Sequence, residues 1–336
     1  MTDPIFIVGS SRSGTTMLGR ILGAHSRINT FDELHFFEQL VDWRIINSHI
    51  ELEIAQLIPL LERLFTSARD GFFERVMPGR YHADARAVLN ESKDHSVITV
   101  YKAFLDFETR IRGKITPCEQ TPRYAFFVSE ILGAFTEARV INMVRDPRDV
   151  LLSQKNKWRR RFLGARNIPL QEALRSWVNY HPYSVTQMWR SCIRSASTCA
   201  DHSRFRTVRY EDLIAKPEEA IKSLCEFLRI DFEVNMLNVP KVGSSLAKDT
   251  THETGIDSTR SGRWRNGELS EVEIDICESI GLQEMRQFGY VLEAKRVSPF
   301  IRAISYVTLV LKIPLIVIMN FSRTRSVTDS LRRRFV

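Results

Sequence analysis

The chain has 336 residues, 43% of them hydrophobic and 26% charged, which is the composition of a soluble globular protein. The five cysteines contain no Cys-x-x-Cys pair and form no cluster with histidine at metal-ligand spacing, which argues against zinc and a disulfide scaffold and favours a reducing compartment. The net charge of +8 lies entirely in residues 295–336, so the remainder is near neutral and shows no basic, aromatic-bearing surface for nucleic acid.

The first predicted element is the stretch "IFIVGSSRSGTTMLGRIL", residues 5–22. Residues 5–8 are continuously apolar, which predicts a strand covered on both faces, and a helix is predicted from Thr15. Gly9 and Gly14 permit tight backbone paths between them. Because a helix N-terminus favours anions, the loop is interpreted as a phosphate or sulfate cradle; the alternative is an ordinary Gly/Ser-rich turn.

The spacing of Gly9 and Gly14 also imitates the phosphate-binding loop of nucleotide triphosphatases. In that pattern a lysine follows the second glycine, whereas here Thr15 stands there and Arg12 is the cation within the loop. The substitution weakens a nucleotide-kinase hypothesis, which is kept as an alternative.

Further along the chain, helical apolar spacing over residues 36–75 predicts helices that form a lid or acceptor wall. Residues 97–101 are predicted to be a strand. The stretch "ARVINMVRDPRDVLLSQKNKW", residues 138–158, again predicts a strand (140–144), a polar turn and a helix from about Arg148. This repetition predicts an α/β protein with a parallel sheet.

The two stretches "SSRSGTT" and "VRDPRDVLLS" together resemble the sulfotransferase superfamily, and are most similar to its bacterial and tyrosylprotein sulfotransferase-like branch. The resemblance extends over most of residues 4–292. It implies a P-loop-like three-layer fold with a central parallel sheet flanked by helices. It also implies transfer of a sulfonate from 3′-phosphoadenosine 5′-phosphosulfate to a hydroxyl acceptor, without a metal.

The resemblance assigns two groups of donor-binding residues. The resemblance implies that the 5′-phosphosulfate is bound by Arg12, Ser13, Gly14, Thr15 and Thr16, and that the 3′-phosphate is bound by Arg145 and Ser153. Two softer matches add Tyr210 near the nucleotide and Arg263, in a late basic loop, over the 3′-phosphate. Taken alone, such residues are more often a packed aromatic and a solvated basic loop.

The catalytic residues implied by the resemblance are Arg12 and Glu33. Arg12 would stabilise the transferring sulfonate and the leaving phosphate oxygen. Glu33 stands twenty-one residues after Arg12, as the catalytic Glu does in tyrosylprotein sulfotransferases, and would accept the hydroxyl proton. Asp32 and His35 are rivals, and a surface carboxylate is the alternative.

One position departs from the family pattern. Many relatives carry a lysine before Thr-Pro or Asp-Pro that assists the leaving group, whereas "CEQTPRY" has Gln120. Either Arg12 takes this role, or Lys102 or Arg123 replaces the lysine. The departure also keeps open a non-catalytic nucleotide-binding scaffold.

Two helical stretches follow the second motif. Residues 156–162, "NKWRRRF", place three arginines where they could meet an anionic acceptor or form a solvated helix end. Residues 171–200 predict one long helix whose Trp177, Tyr180, Tyr183 and Trp189 pack in the core or line an acceptor cleft.

The C-terminal stretch differs in character from the rest, so we predict a sulfotransferase domain over residues 1–294 and a basic, apolar tail over 295–336. Residues 303–321 are apolar except for Lys312 and a few hydroxyls, and Pro314 interrupts their middle. The pattern favours an anchor on an anionic membrane surface; the alternative is a helix pair packed on the domain. Because the first strand begins at Ile5, no secretory signal is expected, and the prediction is a cytoplasmic protein. The acceptor is expected to be a glycan or lipid-linked hydroxyl, with a protein side chain or a small alcohol as open alternatives.

Overall fold

The computed structural model describes residues 4–46, 50–165, 168–241, 250–295 and 297–320. A five-stranded parallel sheet has the order β2-β3-β1-β4-β5, and a small antiparallel pair, β6-β7, lies outside it. The strands are β1 Ile5–Gly9, β2 Ile28–Phe31, β3 Thr116–Gln120, β4 Arg139–Val144, β5 Phe205–Arg209, β6 Pro240–Lys241 and β7 Thr250–Thr254.

The described helices cover both faces of this sheet. They are α1 Thr15–Gly23, α2 Trp43–Ile46, α3 Ile54–Arg69, α4 His82–Glu91, α5 Val97–Ile111, α6 Val128–Ala134, α7 Pro147–Lys155, α8 Leu170–Val178, α9 Pro182–Ser197, α10 Tyr210–Ala215, α11 Pro217–Leu228, α12 Glu271–Gln287 and α13 Pro299–Asn320. Short π or 3₁₀ turns lie at Phe36–Leu40, Pro122–Phe126, Lys157–Phe162, Val234–Leu237, Ser258–Arg260 and Arg263–Asn266.

Strand β1 shows why the core has two halves. Phe6 and Val8 join a cluster with residues of α3, α5, α6 and α9, whereas Ile5 and Ile7 join another with residues of α1, α10 and α11. Alternate residues of a strand point to opposite faces, so an apolar run without alternation fills both layers. The predicted three-layer α/β fold with a central parallel sheet is confirmed.

Two predicted elements are wrong. Residues 97–101 begin helix α5 rather than forming a strand: the Ser96 side chain accepts a hydrogen bond from Thr99 N at 3.4 Å, and this cap together with burial overrides the β-branched sequence. The single helix predicted over 171–200 is broken into α8 and α9. His181 is extended (φ −155°) before Pro182, and its Nδ1 accepts from Tyr183 N at 3.2 Å to cap α9.

The apolar C-terminal stretch forms one helix, α13, which continues through Pro314. It is the one helix of the described residues that is long and apolar enough to cross a membrane by length and composition. The basic residues from Arg323 onward fall in 321–336, which lie outside the described residues.

Candidate active site

The carboxyl ends of the parallel strands meet at one edge of the sheet, where the predicted site residues lie. Residues 10–14 follow β1, residues 32–33 follow β2, Arg145 follows β4 and Tyr210 follows β5. The chain leaves β1 for one side of the sheet and later crosses to the other, which places a topological switch point beside β1. Open α/β sheets bind ligands at such points.

Both glycines of the first loop are required by close packing. Gly9 has φ +144°, and a Cβ there would lie 2.4 Å from the Met143 carbonyl oxygen of β4. Gly14 has φ +96°, and a Cβ there would lie 2.5 Å from Cδ2 of Tyr210. A side chain at either position would displace backbone or an aromatic ring, so the loop conformation depends on glycine.

The N-terminus of α1 is arranged to receive an anion. Gly14 occupies its N-cap position, so no side chain caps the first turn. The Ser13 hydroxyl is fully buried and has no hydrogen-bond partner among the described residues. Thr15 is buried and Thr16 partly buried at the start of the same helix. The cradle predicted from the sequence is therefore supplied with donors by the helix start and by Ser13.

Arg12 joins the two sequence motifs. Its Nε donates a hydrogen bond to Ser153 Oγ on α7 at 2.9 Å. Its backbone is left-handed (φ 75°), a conformation that costs a non-glycine residue about 1 kcal/mol or more. Burial lowers its pKa, and the charges of Arg160 and Arg145 lower it further, to about 10, so the guanidinium stays charged at neutral pH.

Arg145 is held at the end of β4 by backbone groups. Its Nη1 donates to the Arg12 carbonyl at 3.3 Å and its Nη2 to the Arg260 carbonyl at 2.6 Å. Its guanidinium carbon stacks 4.3 Å from the Tyr210 ring centroid. The buried Trp189 Nε1 donates to the Arg145 carbonyl at 2.9 Å. Tyr210 and Trp189 thus help to fix a cation that the sequence assigned to the 3′-phosphate.

The late basic loop is attached to α7 through Asp149. This carboxylate accepts from Gly262 N at 2.7 Å and from Trp264 N at 3.1 Å. Arg263 lies between them, but its Nε donates to the Thr259 carbonyl of its own loop at 3.0 Å. The loop is therefore seated beside the second motif, with Arg263 folded back on it.

Glu33 belongs to a cluster of carboxylates around His35. The imidazole Nε2 lies 3.2 Å from Glu33 Oε2, and Nδ1 contacts Glu38. Burial opposes charge on His35, but hydrogen bonds to Glu33 and Glu38 raise its pKa to about 9. Burial raises the pKa of Glu33, but the hydrogen bond and charge of His35 and the charge of Lys157 outweigh it and lower the pKa overall. Asp32, the other rival, is exposed beside them.

Glu119 on β3 is a member of this region that the sequence reasoning missed. It is fully buried; its Oε1 accepts from Leu34 N at 3.2 Å and from Thr121 Oγ1 at 2.5 Å. Burial raises its pKa to about 8. Its hydrogen bond to Leu34 fixes the backbone between Glu33 and His35. The available signal was a carboxylate inside an otherwise buried strand.

Lys157 was also missed. Burial and the charge of Arg12 lower its pKa to about 8, whereas the charge of Glu33 raises it. Because both charges act on Lys157, this residue lies near the two catalytic candidates. It follows Ser153 by four residues and begins the 3₁₀ turn that comes directly after helix α7. Residues 156–162 thus bring a cation toward the first loop, which their position after the second motif could have indicated.

The three positions considered for the missing lysine differ in their surroundings. Gln120 is buried, with its Cγ 3.5 Å from where a Cβ on Gly19 of α1 would be. Lys102 lies in the second turn of α5. Arg123 Nη1 lies 3.7 Å from Glu38 Oε2. Gln120 thus packs against α1, while Arg123 serves the His35 cluster.

No group of three or more His, Cys, Asp or Glu side chains within the described ranges could hold a metal ion. All five cysteines are free thiols.

The family model described as "Sulfotransferase family" matches residues 4–234. Among curated proteins, the chain is 23% identical over 296 residues to nodulation protein NoeE of Sinorhizobium fredii, covering 85% of this chain and 65% of that protein. It is 24% identical over 272 residues to an uncharacterized protein of Aquifex aeolicus, covering 78% of this chain and 29% of that protein. The chain therefore spans less than two thirds of the length of these relatives.

Two solved structures share the fold at 22% identity. The sulfotransferase domain from the curacin biosynthetic pathway has a TM-score of 0.51 and is covered to 99%, with 87% of this chain. The sulfotransferase domain of the Synechococcus PCC 7002 olefin synthase has a TM-score of 0.52 and is covered to 98%, again with 87% of this chain. Since the family model covers well over half of the chain, the resemblance of the two motifs is confirmed and the nucleotide-kinase alternative is not supported. The chain belongs to the sulfotransferase family.

Proposed function

We propose that the enzyme transfers a sulfonate from 3′-phosphoadenosine 5′-phosphosulfate to a hydroxyl of a glycan or lipid-linked acceptor. The observation that carries the proposal is the hydrogen bond between Arg12 and Ser153, which joins the loop of the first motif to helix α7 of the second motif at the switch point of the sheet. We call the loops after β1, β4 and β5, together with Ser153 on α7 and the late basic loop, the donor half of the site. The cluster of Glu33, His35, Glu38 and Glu119 is the acceptor half.

In the donor half, the residues available fit a nucleotide with two separate anionic groups. Arg12, Ser13, Gly14, Thr15 and Thr16 would hold the 5′-phosphosulfate, and Arg145, Ser153 and Arg263 the 3′-phosphate, beside Tyr210. The unpartnered Ser13 hydroxyl and the Arg145 Nε, which is buried without a hydrogen-bond partner among the described residues, support this assignment. The bound donor supplies an activated sulfonate on a phosphate leaving group; arginines and backbone N–H groups would supply the positive charge.

In the acceptor half, Glu33 is the proposed base. Its carboxyl is ionised at neutral pH because its pKa is lowered, and its side chain is 42% exposed, so an acceptor hydroxyl can reach it. His35 is a poorer base because both ring nitrogens face carboxylates and its side chain is 11% exposed. We therefore assign proton removal to Glu33 and its orientation to His35.

The leaving oxygen requires a cation, and Gln120 brings none. We propose that Arg12 and Lys157 together neutralise the charge that develops there. The charge of Arg12 lowers the pKa of Lys157, which supports this assignment because it indicates that the two cations lie near each other. An incoming anion would relieve that repulsion.

The C-terminal segment supports an enzyme working at the cytoplasmic face of an anionic membrane. Helix α13 is apolar and unburied, and residues 295–336 carry the net positive charge of the chain. A glycan or lipid-linked acceptor made at a membrane suits such a location.

The test is sulfonate transfer from 35S-labelled donor by the purified protein to a panel of soluble alcohols, phenols, sugars and lipid-linked sugars. We expect the wild type to form labelled product and to bind adenosine 3′,5′-bisphosphate. We expect Arg12→Ala to form no detectable labelled product. Nucleotide binding without transfer to any acceptor would support a non-catalytic scaffold. Absence of nucleotide binding would overturn the donor assignment.

A further inference from the structure

Helix α13 presents a large apolar surface. Its 22 residues have a mean hydropathy of 2.0 in the most apolar window, and none of that window is buried. Phe300, Leu311 and Ile318 are each more than 70% exposed. An apolar surface of this extent on a soluble protein indicates a binding surface for a protein or a membrane.

Polar contacts tie α13 to the body along its whole length. They are Arg302 Nη2 to Asp275 Oδ1 at 2.7 Å, His181 Nε2 to the Ser305 carbonyl at 3.0 Å, Lys312 Nζ to the Tyr180 carbonyl at 3.2 Å, and Arg175 Nε to the Met319 carbonyl at 2.8 Å. Arg302, Ser305 and Lys312 thus lie on the attached side of the helix, whereas the side that faces away from the body is apolar.

Helix α8 extends the apolar face. Leu170, Leu174 and Trp177 are 63%, 52% and 53% exposed, and their spacing places them on one side of the helix. Lys312 Nζ lies 5.6 Å from the Trp177 ring centroid, so this side adjoins α13. We call the exposed apolar side chains of α8 and α13 the lipid face.

We propose that the lipid face lies flat in the surface of an anionic bilayer, and that α13 does not cross it. A helix of 22 residues is about 33 Å long, close to the thickness of the hydrocarbon core. Crossing would carry the contacts at Arg302 and Met319, and the domain joined to them, into hydrocarbon. Lying flat keeps those contacts and buries the apolar side chains at the headgroup boundary.

The charge distribution identifies the partner as anionic lipid rather than another protein's apolar face. Residues 295–336 hold nine basic residues and one acidic residue, whereas the rest of the chain is near neutral. Each basic residue near an anionic membrane surface contributes about 1 kcal/mol of attraction. Basic flanks around an apolar helix are the pattern of interfacial anchors.

The lipid face continues to the catalytic edge. The turn Lys157–Phe162 packs against α8, bears Lys157 at its start and ends on Phe162, which is 64% exposed. An acceptor anchored in the same bilayer would thus approach Arg12 and Glu33 past this turn. This inference about the approach rests on the proposed function, whereas binding to the bilayer does not.

The experiment is flotation of the full chain with vesicles of phosphatidylcholine alone or with phosphatidylglycerol. The test variant is Leu170→Ser/Leu174→Ser/Trp177→Ser on α8. The control is Ile111→Ser/Ile115→Ser/Val234→Ser, which removes apolar groups of similar exposure elsewhere. Flat docking predicts that the α8 variant loses affinity for the anionic vesicles about tenfold or more, with the control unchanged. Unchanged binding of the α8 variant would mean that α13 acts alone, and would overturn the proposal.

A second measurement does not depend on that variant folding. The fluorescence of Trp177 is obtained as the difference between the wild type and Trp177→Phe. Lipids brominated near the headgroup should quench this fluorescence. Absence of quenching while the protein is vesicle-bound would also overturn flat docking. Sulfonate transfer to the full acceptor panel is measured in parallel; its failure with every acceptor would refute the proposed function and leave the lipid result intact.

Discussion

The donor and acceptor halves of the site are built differently. In the donor half, Arg12 and Arg145 are held by a hydroxyl and by backbone carbonyls, and glycine packing sets the loop. In the acceptor half, carboxylates surround the single imidazole of His35. Arg12 stays charged at neutral pH because its pKa is lowered only to about 10, whereas the pKa values of His35 and Glu119 are raised to about 9 and about 8. Binding of the donor should therefore depend little on pH, and catalysis more.

Arg12→Ala should have the largest effect because Arg12 serves both halves. It removes a charge from the bound phosphosulfate and from the leaving group, so we expect turnover to fall about a thousandfold and donor affinity to fall with it. Steady-state kinetics and calorimetric titration with adenosine 3′,5′-bisphosphate measure the two effects. Loss of binding alone would remove Arg12 from catalysis.

Glu33→Gln should separate the halves. It retains the shape of the side chain but cannot accept a proton, so turnover should fall about a hundredfold with nucleotide affinity nearly unchanged. Asp32→Asn is the matched control, because it neutralises the adjacent exposed carboxylate. If Glu33→Gln is fully active and Asp32→Asn or His35→Ala is not, the base has been assigned to the wrong residue.

Arg145→Ala should affect only the donor half. Loss of a charged hydrogen bond to the 3′-phosphate is worth about 1.5–3 kcal/mol, so affinity for adenosine 3′,5′-bisphosphate should fall by roughly 10–150-fold. Affinity for adenosine 5′-phosphosulfate should hardly change. Ser153→Ala is a less selective variant because Ser153 also holds Arg12. Equal losses for both ligands with Arg145→Ala would refute its assignment.

Lys157→Arg should shift the pH dependence of turnover. The pKa of Lys157 is lowered to about 8, so its charge is lost as the pH rises through that value, while an arginine stays protonated. The fall in kcat as the pH rises through about 8 should therefore be absent in the variant. Lys102→Arg is the control; a shift in that variant instead would identify Lys102 as the cation.

His35→Gln should have the smallest effect, on stability. The folded-state pKa of His35 is raised to about 9 from 6.5, so its charge stabilises the fold below pH 6.5, and this contribution is lost as pH rises through 9. The difference in free energy of unfolding between wild type and variant should shrink over this window, from on the order of 1–3 kcal/mol. Urea titrations at pH 6, 8 and 10 test this; a constant difference would show that His35 is not charged in the folded state.

The sequence was informative where structure is local. The first strand, its loop and helix α1, and the corresponding β4 and α7, lie within two residues of their predicted positions, because apolar runs and turn residues act over short distances. The strand predicted at 97–101 failed because a cap and tertiary packing decided the helix. Glu119 and Lys157 were missed because their roles depend on strand pairing and a helical turn that bring them to residues far away in the chain.

Three described residues with side chains adopt left-handed backbone: Arg12, His35 and Arg229. Arg229 merely ends helix α11, whereas the other two lie in the site. Selection for heat resistance alone would favour glycine at all three positions, since glycine relieves this strain. At Arg229 the gain in stability would cost no activity. At Arg12 and His35 glycine would give a more stable protein that lacks the side chains of its site.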